Sequence, residues 1–176
     1  TTNKFDKLGY PSILASNSIN TVTEDKQGKL WIGTDLFLIN FSSRVFSKSD
    51  KFDFNFFSHG ESSYSLSCPH ITYLLADKNN NIWIGTLWGG LNMLQGIKPK
   101  FTLFQHQAGI PNSIPSTPVT GIYSDKQGNL LLSTNTRGIY KMNLATASFE
   151  PFIQGKYIGV DFQNILTDTD NNIWLG

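Results

Sequence analysis

An all-β fold is predicted for this chain by three observations: a short phrase that recurs four times, short apolar runs with the lengths of strands, and a composition poor in charge. The phrase first reads Asp25-Lys-Gln-Gly28-Lys-Leu30-Trp31-Ile32-Gly33-Thr34 and next Asp77-Lys-Asn-Asn80-Asn-Ile82-Trp83-Ile84-Gly85-Thr86. A more worn copy runs Asp125-Lys-Gln-Gly128-Asn-Leu130-Leu131-Leu132-Ser133-Thr134, and the last runs Asp168-Thr-Asp-Asn171-Asn-Ile173-Trp174-Leu175-Gly176. The leading aspartates stand about 43 to 52 residues apart, close to the ~40 to 50 residues of one propeller blade. Charged residues are 15% of the 176, against roughly 25% in ordinary soluble domains. That balance suits turn-rich β structure better than long charged helices. The expectation is an incomplete ring of about three and a half four-stranded antiparallel blades, a partial propeller over 1–176, with blades near 18–58, 70–106 and 118–154 and half a blade at 158–176.

Each repeat opens on an apolar stretch before its aspartate: Ile19 to Thr23, Ile71 to Leu75, Val119 to Tyr123 and Val160 to Leu166. A second run such as Leu30-Trp31-Ile32 is too short for a helix and apolar on both sides, as in a strand covered on both faces. A third follows at Phe37 to Phe41, Leu91 to Leu94 and Ile139 to Met142. The fourth, Phe52-Asp53-Phe54-Asn55-Phe56, alternates as a strand with one wet face does, with counterparts near Phe101 to Phe104 and Phe149 to Ile153. Between the first two runs the aspartate accepts backbone N–H groups of a reverse turn. Gly28, Asn80, Gly128 or Asn171 then tolerates the left-handed conformation.

Several functions are excluded or disfavoured at this stage. A net charge of +1 leaves no electrostatic excess for nucleic acid or an anionic membrane surface. A single cysteine, Cys68, forms no internal disulfide, and no apolar run reaches the ~18 residues of a membrane span. The chain opens on Thr1, so it reads as an excised piece of something longer. Asp168-Thr-Asp170 imitates the start of a calcium loop, but Ile173 stands where glycine is required. His59, His70 and His106 have no paired metal-ligand spacing. No cofactor, metal or catalytic residue is expected.

Written out, Asp-x-x-Gly-x-Leu-Trp-Ile-Gly-Thr resembles the two-component regulator propeller repeat. The likeness extends through Thr86-Leu-Trp-Gly89-Gly90-Leu91-Asn92 and back to the lead-ins Tyr64-Ser-Leu-Ser67 and Asn112-Ser-Ile-Pro115. The resemblance implies the periplasmic sensor region of an inner-membrane protein: a hybrid two-component histidine kinase, with a diguanylate cyclase as the alternative output. Many such regions respond to carbohydrate fragments. The first copy departs from the pattern, running Thr34-Asp-Leu-Phe37 without a Gly-Gly pair, so its next turn must differ. Three and a half blades also leave open faces. The expected partners are the remaining blades of a parent propeller, or another copy of the chain, besides a small ligand.

Strand order places the Asp-x-x-Gly turns at one rim and the irregular connections at the other. Candidate ligand-binding residues lie on the irregular rim: Asp35, Tyr64, His70, Trp88, Asn135 and Arg137. Trp88 beside Gly89 and Gly90 either stacks on a sugar ring or packs on the neighbouring blade. Arg137 either clamps an anionic group or sits as a surface charge. Trp31, Trp83 and Trp174 recur in register and are expected to pack between blades. Three readings follow: a ligand sensor, a protein-docking scaffold, or a propeller lyase or glycosidase. The last needs converging carboxylates, which the turn aspartates do not provide.

Overall fold

The computed structural model describes residues 18–42, 54–62, 64–95, 100–115, 118–135, 138–153, 160, 162–168, 170 and 172–176. Among them the regular structure is all strand. The first sheet takes β1 (Ile19–Glu24), β2 (Lys29–Thr34), β3 (Phe37–Ser42) and β4 (Asn55–Ser58) in sequence order. The second takes β5 (Ile71–Ala76), β6 (Ile82–Thr86), β7 (Leu91–Gln95) and β8 (Lys100–Phe104). The third takes β9 (Val119–Ser124), β10 (Leu130–Thr134), β11 (Gly138–Asn143) and β12 (Ser148–Pro151), and a hairpin of β13 (Ile165–Thr167) and β14 (Ile173–Leu175) follows. Every pairing is antiparallel between consecutive strands. The first strands of successive sheets touch, β1 on β5, β5 on β9 and β9 on β13, which is the arrangement of propeller blades. The sheets do not close into a ring.

Two expected strands shift. The outer strand of the first sheet is Asn55–Ser58, while Phe52 and Asp53 fall outside the described residues. Its register places Phe57 opposite Leu38, where its ring stacks on Trp31 at 5.9 Å and meets Phe101 of the next blade edge-on at 5.8 Å. Partners from another blade, invisible to local alternation, select this pairing. The last inner strand is Ile165–Thr167, shorter than the Val160 to Leu166 run. The N–H groups of Gln163 and Asn164 both donate to the Gly176 carbonyl, at 2.6 and 3.1 Å, so a bulge interrupts the ladder there.

The turns follow the expected chemistry. Asp25 Oδ1 accepts the N–H of Gln27 and of Lys29 at 2.9 and 3.0 Å. Gly28, Asn80 and Gly128 hold φ of 76°, 65° and 92°, and Asn171 lies outside the described residues. The second aspartate oxygen has a use that turn chemistry alone does not announce. Oδ2 of Asp25, Asp77 and Asp168 accepts the indole N–H of Trp31, Trp83 and Trp174 at 2.9, 2.9 and 3.0 Å. The aspartate thus fixes the turn with one oxygen and the tryptophan with the other.

The core lies between blades. Trp31 joins Ile71, Leu74 and Ile84 of the second sheet, Trp83 joins Val119, Ile122 and Leu130 of the third, and Leu131 joins Phe162 and Ile165. The glycine two places after Trp31 and Trp83 admits that contact: a Cβ on Gly33 would stand 2.5 Å from Ile71 Cγ2, and one on Gly85 3.1 Å from Val119 Cγ1, each of the next blade. The threonine closing each phrase is buried and ties off the turn that follows. Thr34, Thr86 and Thr134 donate through Oγ1 to the carbonyls of Phe37, Gly90 and Gly138. The shorter reach in the first copy is the different turn that its missing Gly-Gly pair requires. No helix among the described residues is long and apolar enough to cross a membrane.

Candidate functional site

A polar cleft of about 390 Å³ opens at the rim of irregular connections, between the first strands of the blades. It is built on one repeated irregularity. In β1, β5 and β9 the pairing with the next strand skips one residue: Asn20, Thr72 and Thr120. Gln163 occupies the same place before the last hairpin, and all four line the cleft. A bulge re-aims the extra residue out of the ladder. Here it points the side chain to the neighbouring blade. Asn20 Nδ2 donates to the Ile71 carbonyl at 2.9 Å, Thr72 Oγ1 to that of Val119, and Thr120 Oγ1 to that of Phe162. One set of groups therefore couples the blades and floors the cleft.

The walls carry amides, hydroxyls and one imidazole. His70 lines the cleft, with Nε2 3.5 Å from Asp35 Oδ1, and Asp35 in turn accepts Asn20 Nδ2 at 2.8 Å. Asn135 donates its backbone N–H to the Pro118 carbonyl at 3.2 Å. Asn135 lines the cleft, and its side-chain Oδ1 is buried without a hydrogen-bond partner among the described residues. A buried carbonyl oxygen left unpaired costs ~1–3 kcal/mol. Tyr73 lines the same space, and burial raises the pKa of its hydroxyl above 10.0, so it remains a neutral donor.

Of the six residues singled out by sequence, His70 and Asn135 line the cleft and Asp35 braces its edge. Trp88 is displayed on the same rim but outside the lining, 78% exposed, so it packs on no neighbouring blade. Tyr64 is likewise exposed and outside it. Arg137 lies outside the described residues. The row Asn20, Thr72, Thr120 and Gln163 was missed, although its signal is legible: a polar residue five places before each phrase's aspartate. Two histidines have a structural role. His59 Nδ1 and His106 Nδ1 stand 3.0 Å from the carbonyls of Leu66 and Ile114, pinning the two lead-in loops. Among the described residues no group of three or more His, Cys, Asp or Glu side chains is placed to hold a metal.

Four-stranded antiparallel sheets sharing first-strand contacts, with a cleft among those strands, define a β-propeller segment. The family model described as two component regulator propeller matches its repeats at residues 13–35, 65–88 and 113–136. No curated protein matches the chain. The fold is similar to the extracellular domain of a hybrid two component system from B. thetaiotaomicron, at TM-score 0.75 and 24% identity, over 91% of this chain and 22% of that one. A second such extracellular domain from B. thetaiotaomicron matches at TM-score 0.53 and 19% identity, over 91% of this chain and 28% of that one. A catalytically inactive virginiamycin B lyase from Staphylococcus aureus matches at TM-score 0.64 and 13% identity, over 90% and 48%. The chain thus spans between about a fifth and a half of these structures.

Proposed function

We propose that this chain is a ligand-sensing segment of an extracytoplasmic propeller, periplasmic and non-catalytic, belonging to a membrane-bound signalling protein with a histidine kinase or diguanylate cyclase output. Further blades of the parent propeller complete its open faces. The ligand is a neutral polyhydroxylated molecule, a carbohydrate fragment, bound in the cleft above Asn20, Thr72, Thr120 and Gln163. The observation that carries this reading is the cleft's lining of hydroxyls and amides, with no lysine, arginine or carboxylate among the described lining residues. Such a surface offers directional hydrogen bonds without net charge, which suits sugar hydroxyls. Because the same bulge residues tie blade to blade, occupancy would shift the equilibrium of blade packing, the physical requirement for relaying a signal.

The test is calorimetric titration of a neutral oligosaccharide panel against the chain and its His70→Ala and Asn135→Ala variants. A bound sugar should lose about tenfold or more in affinity in each variant, equivalent to one well-made hydrogen bond, with thermal unfolding unchanged. Absence of any sugar binding, or binding indifferent to both substitutions, would defeat the reading. A protein-docking scaffold is the second reading, favoured by the exposure of Leu36, Tyr64 and Trp88 on the same rim. It predicts that Trp88→Ala abolishes capture of a protein partner while His70→Ala does not.

A further inference from the structure

The third copy of the turn phrase keeps the receptor for a tryptophan but lacks the tryptophan. Asp125 holds its turn as the other copies do, Oδ1 accepting the Asn129 N–H and Oδ2 the Asn129 amide, both at 2.7 Å. In the second and fourth copies the corresponding oxygen takes two hydrogen bonds. Asp77 Oδ2 accepts Asn81 Nδ2 at 2.8 Å and Trp83 Nε1 at 2.9 Å, and Asp168 Oδ2 accepts Asn172 Nδ2 at 2.8 Å and Trp174 Nε1 at 3.0 Å. The Leu131 side chain has no N–H to give, so among the described residues Asp125 Oδ2 accepts only the Asn129 amide.

The stacking partner is also in place. Trp31 and Trp83 each lie face to face with a phenylalanine of the outer strand, Phe57 at 5.9 Å and Phe104 at 6.0 Å. Those phenylalanines sit opposite Leu38 and Leu91. The same place in the third sheet, opposite Ile139, belongs to Phe152, whose N–H donates to the Ile139 carbonyl at 2.9 Å. Its ring is partly exposed. Asp125, Leu131 and Phe152 line a cleft of about 250 Å³, to which the last hairpin contributes Thr167 and Ile173. The volume is enough for a bicyclic ring, with Leu131, Phe152 and Ile173 as the apolar part of the lining and Asp125, Lys126 and Lys141 as the polar part.

We propose that this cleft is a binding site for a planar N–H heteroaromatic of the indole class. The ring lies against Phe152 and Leu131 and the N–H is donated to Asp125 Oδ2. The site is separate from the rim cleft and stands between the third sheet and the last hairpin, so its occupant would staple the two together as Trp31 and Trp83 staple the earlier blades.

Indole and 1-methylindole, which has nearly the same shape and no N–H, are titrated against the chain by NMR. The expected result is saturable indole binding, with shifts centred on the Leu131 methyls and the Phe152 ring. Affinity for 1-methylindole should fall about tenfold or more, as loss of a hydrogen bond to a charged acceptor implies. Leu131→Trp should remove indole binding by filling the cleft with the missing side chain. Should that variant fail to fold, Phe152→Leu keeps the test open and should weaken indole severalfold. The proposal is overturned by no saturable binding up to millimolar indole, by equal affinity for the two probes, or by shifts that map elsewhere.

Discussion

Trp83 and Trp174 stand six residues after an aspartate whose Oδ2 accepts the indole N–H, at 2.9 and 3.0 Å. Their neighbours differ completely. Trp83 is 1% exposed, pressed into the cluster of Val119, Ile122 and Leu130 from the next sheet, whereas Trp174 is 63% exposed. Among the described residues no sheet follows β14. The hairpin, its turn and the carboxylate–indole bond are therefore local products of the segment Ile165–Leu175, while burial of the indole belongs to the neighbour. Each blade is completed by the one after it, which is the energetic logic of repeat proteins: an intrinsic contribution per unit and a larger one per interface.

The largest effect that sharpens this contrast is truncation of the two tryptophans. Trp83→Ala should destabilise the chain by about 3–5 kcal/mol, the cost of emptying a large aromatic site in a packed core. Trp174→Ala should cost less than about 1 kcal/mol, because only an exposed bond and little packing are lost. Denaturant unfolding of both variants checks the pair, and equal losses would mean that the interface is not the main source of stability.

Next comes the acceptor. Asp77 is buried and takes four hydrogen bonds, from the N–H groups of Asn79 and Asn81, the Asn81 amide and Trp83. Asp77→Ala leaves a buried indole N–H with no acceptor, so a loss of about 2–3 kcal/mol is expected by the same unfolding measurement. The matching change at Asp168, where water can replace the carboxylate, should cost clearly less.

The same contrast explains what could be read from sequence. The inner, second and third strands were legible because each is short, apolar and bounded by a stereotyped turn, and Trp31 and Trp83 were legible as interblade packing because they recur in register. The outer strand, expected at Phe52 to Phe56, overlaps that run at Asn55 and Phe56 but continues to Ser58, where Phe57 meets Trp31 of its own sheet and Phe101 of the next blade, a contact that local alternation does not announce. The rim was only half legible. His70 and Asn135, candidates for lying on irregular loops, line the cleft, whereas Asn20, Thr72 and Thr120 reach it through a bulge that no alternation pattern announces. Trp88 looked like a binding or packing residue, and the structure leaves it on the surface.

The bulge residues provide the third test. Thr72 Oγ1 donates to the Val119 carbonyl of the next blade, and Gln163 holds the same place with no following first strand among the described residues. Thr72→Val keeps shape and removes the donor, so about 1 kcal/mol should be lost. Gln163→Val should change stability by no more than about 0.5 kcal/mol. Equal effects would show that the bulge row contributes to each blade separately rather than to the seam between blades.

The smallest effect isolates the local bond with no burial to obscure it. The Asp168 carboxyl is held below its ordinary value of 3.8, chiefly by the Asn172 side-chain amide and next by the Trp174 indole. A carboxylate whose folded pKa is depressed contributes stability that is complete above its unfolded value and is lost as pH falls through the lowered one. The last hairpin should therefore keep its turn on acidification to pH 4. Below that, the Trp174 indole N–H resonance should move toward its water-exposed position as Asp168 takes up a proton. In Asp168→Asn the acid transition of that resonance should vanish while the hairpin signals persist, because the amide oxygen still accepts from the turn but no longer titrates. An indole signal that ignores pH in the unaltered chain would mean that the carboxylate–indole bond forms only when a neighbouring blade excludes water, and the division between local turn and borrowed burial would have to be redrawn.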